Sequence, residues 1–292
     1  MRVPRHWVRE AVEVTDSRGA LAFGEGWGWS ETDIEEARSR AKTAAERVVA
    51  WMMRDCEDPA PPRSSEYLYG LDRPPREEII QELHDSRGET TALISRNVYG
   101  ALVLNTRDLM FIDVDFPPSP TNEEGMLQRL FGKAAPKYNE AVDAILSRVQ
   151  QWCSASADLG VRLYRTAAGL RVALTGQPMQ PGGDDSRRIL EELGSDPLYR
   201  RLCEAQECFR ARLTPKPWRM RCDVPPARFP FADSATEKKY RDWQRDYDET
   251  APQFATCQLV NAYGGHEPHP ELSPLIKLHD ALTGIANALP LA

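Results

Sequence analysis

The stretch that most constrains this chain is "DLMFIDVDFPP", residues 108 to 118. Apolar residues build toward a buried strand, two acids close it, and two prolines stop any central ladder from continuing. Side chains alternate along a strand, so Met110, Ile112, Val114 and Phe116 share one face and suit a helical cover. Asp113 and Asp115 then project together from the other face. Like charges this close raise each other's pKa unless a cation neutralises them. Hard carboxylate oxygens suit Mg²⁺ or Mn²⁺; the plain alternative is a solvated strand end.

From this strand onward the periodicity reads strand, helix, strand, strand, helix and a later strand. That order predicts an α+β fold with an RRM-like (ferredoxin-like) antiparallel sheet, helices on one face and a site on the open face. The helical pattern runs from 121 to about 152, and "VRLYRT", "AAG" and "LRVALTG" read as a hairpin. "GDDSRRILEELG" and "DPLYRRLCEAQECFRARL" read as helices and "KPWRMRCDV" as a short strand. A polar helix at "TEKKYRDWQRDYDE", a buried strand at "FATCQLVNAYG" and a terminal helix at "SPLIKLHDALTGIANAL" complete the core.

Upstream, "HWVREAVEV" and "ALAFGEGWGWS" read as strands, and the glycines of the second imply a bulge or a close backbone approach. The helix that follows repeats Ile34, Ala37, Ala41, Ala45, Val48 and Met52, with Thr32 and Glu35 spaced as a capping box. Residues 1–56 are thus expected to form a ββα unit, and 57–94 a linker with a short helix at "PPREEIIQELHD". Residues 95–292 would be the RRM-like core with its C-terminal helical extension, in which "TALISRNVYGALVLNT" breaks near Gly100.

Two further groups of residues carry chemistry. Arg165 and Arg171 flank the hairpin turn. A guanidinium there either takes phosphate oxygens in a bidentate grip or, at Arg171, pairs with Asp113 or Asp115. Between Arg200 and Arg221 seven Lys or Arg stand against two acids. Arg210, Arg212, Lys216, Trp218, Arg219 and Arg221 leave the helix through a proline-braced loop, a pattern suited to phosphates and stacked bases. The net charge of −7 argues against coating nucleic acid over the whole surface but permits such a local groove.

Other chemistries find little support. The six cysteines form no CxxC, and the 203/208 spacing does not suit zinc, so they read as reduced thiols. There is no Walker A loop and no G-x-S-x-G elbow, and His279 reads as structural. No apolar run reaches the ~18 residues of a membrane span, and the first residues lack a signal-peptide core, so the expected location is cytoplasmic with no membrane partner.

An apolar strand ending in D-x-D, a hairpin carrying T-x-x-G-x-(basic), and a later hydrophobic-flanked Asp resemble the three-motif layout of archaeo-eukaryotic primases and bacterial primase-polymerases. The resemblance spans roughly residues 95 to 230. It implies that Asp113, Asp115 and Asp223 hold Mg²⁺ or Mn²⁺, and that Arg171 stands where the family has a phosphate-contacting histidine. It also implies a metal-dependent nucleotidyltransferase acting on nucleoside triphosphates and a nucleic-acid template, with Arg165 helping to bind phosphate and the 210–221 segment following the template. The alternatives are a non-catalytic nucleic-acid or protein-interaction module, and a metal-dependent phosphodiesterase.

Overall fold

The computed structural model describes residues 1–15, 19, 21–53, 74–118, 134–265, 267–286 and 288–292. The expected linker from 57 to 73 and the helical pattern from 121 to 133 fall outside them.

The N-terminal unit is an antiparallel pair, β1 (His6–Thr15) and β2 (Leu21–Ser30), packed on α1 (Ile34–Met52). Small residues on both partners decide this packing. Gly24, Gly26 and Gly28 face Ala37, Ala41 and Ala45, all three of which are fully buried. A Cβ on Gly28 would lie 2.0 Å from the Ala37 carbonyl oxygen, and one on Gly26 2.4 Å from the Ala45 nitrogen. The glycines therefore serve close backbone approach rather than a bulge. The helix is capped by Asp33, whose carboxylate accepts from the Glu35 N–H, and not by the expected Thr32.

The rest of the chain is mixed α+β, and every strand pair in it is antiparallel. One sheet has the order β3 (Glu78–His84), β4 (Thr90–Arg96), β5 (Leu102–Thr106), β9 (Phe209–Arg212). The other runs β10 (Cys257–Tyr263), β7 (Val161–Thr166), β8 (Gly169–Leu174), β6 (Phe111–Asp115). The helices are α2 (Ala134–Ala155), α3 (Asp184–Glu192), α4 (Pro197–Gln206), α5 (Ser234–Thr250) and α6 (Ser273–Leu282).

Four local expectations are corrected. The segment expected as a short helix at 74–85 contains β3, because Ile79 and Ile80 favour an extended chain once β4 offers a partner. The helix from Pro197 ends at Gln206, where Glu207 takes a left-handed φ of 50°, and Phe209–Arg212 forms β9 beside β5. The strand expected around 216–224 is instead a single 3₁₀ turn, Pro217–Arg219, since two prolines in three residues deny it ladder donors. β10, expected to be buried, is an edge strand exposed along most of its length. The anticipated boundary at 94/95 also falls inside β4.

Side-chain alternation along β6 sorts the core into two. Ile112 and Val114 pack with Leu163 and Val172 under Val149 of α2 and Ile189 of α3. On the opposite face Phe111, Tyr164 and Ala173 meet Ile94 and Leu104 of the other sheet and Leu275 and Ile276 of α6. The face expected to lie open is thus largely covered. Cavities reach it beside β9, where Asp113 and Asp115 line them with Arg212.

Candidate functional site

Asp113 and Asp115 do leave β6 on one face, and the register sets Asp113 opposite Arg171 and Asp115 opposite Gly169. Arg171 donates from Nε to Asp113 Oδ1 at 2.8 Å and from Nη2 to Oδ2 at 3.1 Å, a bidentate pair. Its third nitrogen, Nη1, donates to the Arg212 carbonyl at 2.9 Å and lies 3.3 Å from His279 Nε2. With 1% of its surface exposed, Arg171 is an internal strut and not a phosphate hand.

Arg171 can only donate, so His279 Nε2 accepts and the ring proton sits on Nδ1, 3.0 Å from Asp280 Oδ1. Burial, opposed by the Asp280 contact, holds the imidazole below its ordinary pKa and keeps it neutral. Asp280 also accepts from Tyr164 Oη at 2.8 Å and Arg162 Nη2 at 2.6 Å. The structural role expected of His279 is to couple these two buried ion-pair systems.

Between β6 and β9 no ladder forms. Instead the buried Tyr199 hydroxyl donates to the Phe111 carbonyl at 2.9 Å and accepts from the Arg210 N–H at 3.1 Å. The phenol thus bridges the two sheets where their edge strands do not pair, and Tyr199 lines the cleft there. Two adjoining cavities of about 290 and 260 Å³ make up this cleft, and both are lined by Asp113, Asp196, Tyr199, Arg212 and Lys216. Asp115 and Arg219 line the smaller one and Tyr99 the larger.

The charges in the cleft are arranged unevenly. Burial opposes ionisation of Asp113, but Arg171 outweighs it and holds the carboxyl below its usual range. Asp115, by contrast, is raised by burial and by the charge of Asp113. Arg212 is pushed down to about 10 by burial and by Arg171, and Lys216 to about 8 by burial, Arg212 and Arg219. Among the described residues none of Arg212, Lys216 and Arg219 has a carboxylate within 4 Å, and the buried Nε of Arg212 has no hydrogen-bond partner. Lys216 Nζ lies 5.2 Å from the Trp218 ring centre and 5.9 Å from that of Tyr99, and the two rings meet edge to face at 5.2 Å. Trp218 is 48% exposed.

Of the other expected site residues, Arg165, Arg221 and Asp223 line neither cavity. Arg165 is on the opposite, helix-covered face of β7, paired in register with Leu170, its guanidinium 4.1 Å above Phe116. Adjacent residues in a strand face opposite ways, so Arg165 points away from Tyr164 and Thr166 and does not share the face of the acid pair. Arg210 lines the larger cavity, but its guanidinium is bound to buried Glu77 and donates to Gln206 Oε1 at 2.9 Å, so its charge is engaged within the fold. Arg221 and Asp223 are exposed and line neither cavity; the Asp223 carbonyl accepts from Trp243 Nε1 at 2.9 Å. The structure does not bring the three acids together, and among the described residues no group of three or more His, Cys, Asp or Glu could hold a metal.

Sequence reading missed Asp196 and Tyr99. Asp196 caps α4 through the Leu198 N–H at 2.8 Å, so its only sequence signal was that of an ordinary helix cap. Tyr99 sits in the β4–β5 turn, 119 positions before Trp218 in number but next to it in space (218 − 99 = 119). Comparison of the chain with protein-family models, curated proteins and solved structures finds no match in any of the three.

Proposed function

We propose that the cleft between the two sheets binds a nucleoside triphosphate or a phosphorylated strand end, as part of a metal-dependent nucleotidyltransferase that resembles a primase-polymerase. One observation carries this reading: three cations without carboxylate partners converge on the same small cleft as two adjacent acids. Unneutralised, half-buried cations destabilise a fold, and an anionic ligand relieves them. Arg212, Lys216 and Arg219 would take the phosphate oxygens, and exposed Trp218 with half-buried Tyr99 offers an aromatic surface for a base.

Asp115 fits a divalent ion best. Its carboxyl prefers company that lowers its pKa, and Mg²⁺ or Mn²⁺ needs only one or two protein carboxylates beside phosphate and water. Asp113 would contribute through the lone pairs that Arg171 leaves unused, and Asp223 takes no part. Bound there, the ion would neutralise phosphate charge. On the fold side, the order β6, β8, β7 with β8 in the middle supports the RRM-like reading, while β10 beside β7 and β9 in the other sheet depart from it.

The second reading, a non-catalytic binding module, is favoured by the bidentate pairing of Asp113 with Arg171. A thermal-shift titration separates the two. The enzyme reading expects triphosphate to stabilise the protein more with Mn²⁺ than with chelator, together with Mn²⁺-dependent incorporation on a primed template. Metal-independent stabilisation with no incorporation selects the module, and no stabilisation by triphosphate removes both.

A further inference from the structure

A further cavity, of about 580 Å³, lies in the N-terminal unit, lined from β1, β2, α1 and residues 74 and 76. Trp7, Trp27 and Trp29 line it, and so do Arg40, Arg47 and Arg76. Three indoles and three guanidiniums thus surround one space. We propose that this cavity is a binding site for single-stranded nucleic acid, with bases stacked on the indoles and phosphates held by the arginines. The proposal is independent of the chemistry assigned to the cleft.

The register places Trp7 opposite Trp29, with ring centres 6.1 Å apart and tilted by 39°, and Trp27 follows on the same face of β2. All three are only partly buried, although tryptophans serving a core alone would be packed away. The interlock of Gly24, Gly26 and Gly28 with α1 already fills the other face of the hairpin. The indoles are thus left outside the unit's own core.

The cations complete the pattern. Arg47 is exposed on α1 and has no ion-pair partner among the described residues. Arg40 donates to the Trp29 carbonyl at 2.8 Å and to Glu36, and its guanidinium stands 6.0 Å from the Trp29 ring. Arg76 lies 5.3 Å from the centre of Trp27. Glu25, the one acid lining the cavity, is paired with Arg9. The indole N–H of Trp7 is buried without an acceptor, a donor that a base carbonyl or phosphate oxygen would satisfy.

The same cavity would attract an acidic peptide through its arginines. Indole faces, however, carry negative quadrupole charge and gain nothing from carboxylates, whereas every base has a flat face to stack. The wall of three indoles therefore favours a strand.

The test is fluorescence anisotropy of the full chain with a labelled oligothymidylate, against thymidine monophosphate and an oligoglutamate peptide. Binding is expected to weaken with salt, with a log–log slope of about −0.7 from the phosphate held by Arg47. Arg47→Glu should weaken binding about tenfold and reduce the slope, with the melting temperature unchanged. Trp27→Ala should weaken it to a similar extent and Trp27→Phe restore most of it. If Trp27→Ala fails to fold, Arg47→Glu and Trp27→Phe still decide. Oligomer affinity indifferent to Arg47→Glu overturns the proposal, as does equally tight binding of the monophosphate or of oligoglutamate.

Discussion

Two arginines two residues apart on β9 point to the same face, yet they belong to different parts of the molecule's economy. Arg210 ends in a sealed network, bound to Glu77, which in turn accepts from Ser95. Arg212 ends in the cleft with its Nε unpartnered and with Arg171 as a repelling neighbour. The floor of the cleft repeats the contrast: Asp113 is gripped by Arg171, and Asp115, two residues along the same strand, is not. A charge whose partner is built into the fold holds the fold together. A charge left without one is available to a ligand.

The contrast breaks most sharply at Arg171. Arg171→Met removes the internal strut and should cost about 3 kcal/mol in denaturant unfolding, while Asp113→Asn, whose carboxylate is 44% exposed, should cost about 2. The double variant should recover part of the sum, since neither charge is then stranded. Unchanged stability in Arg171→Met would place that arginine with the ligand-seeking group.

Arg212→Met tests the other side. Without ligand it should unfold no more easily than the native chain and gain up to about 1 kcal/mol, because a half-buried cation beside Arg171 is removed. Affinity for triphosphate should fall about 30-fold in an isothermal titration. A loss of stability comparable to that of Arg171→Met would remove the distinction.

The pH dependence sharpens it further. Lys216 gives up its proton near pH 8 in the fold but only near ~10.4 in the unfolded chain. Between those values the unfolded chain binds more protons, so this group's contribution to stability rises with pH. Phosphate affinity should move the opposite way and drop several-fold from pH 7 to 9 as the ammonium is lost. Lys216→Arg should flatten the affinity profile, and a profile unchanged by that substitution would exclude Lys216 from the site.

The smallest effect on the fold is expected at Asp115. Asp115→Asn should leave unfolding within about 0.5 kcal/mol of native, because no side chain depends on that carboxylate. Any Mn²⁺ contribution to triphosphate binding should disappear with it. A Mn²⁺ response that survives would move the ion away from β6.

Much of this was readable in the residues. The ββα opening, the facing of Ile112 and Val114 against Asp113 and Asp115, and the Thr-Ala-Ala-Gly hairpin all follow from periods of two and 3.6, and each is present. The possibility that Arg171 pairs with Asp113 was also legible, because both belong to strands expected to lie side by side. Less legible was anything set by partners distant in sequence. β3 carries apolar pairs that satisfy a helix or a strand, and β4 decides between them. Arg165 and Arg171 look alike across their turn, but an odd step in a pleated strand sends them to opposite faces. Basic residues from 200 to 221 form one run in the chain, while the fold divides them among a buried network, a cleft and open solvent.

Alternation and turn chemistry act within a few residues, so the sequence by itself determined the ββα opening, the Thr-Ala-Ala-Gly hairpin, and that two acids end a buried strand on one face. Whether a given charge meets an opposite one depends on contacts across 58 residues for Asp113 with Arg171 and 133 for Glu77 with Arg210. Only the tertiary structure could decide those, because electrostatic energy is set by distance and burial and not by order along the chain.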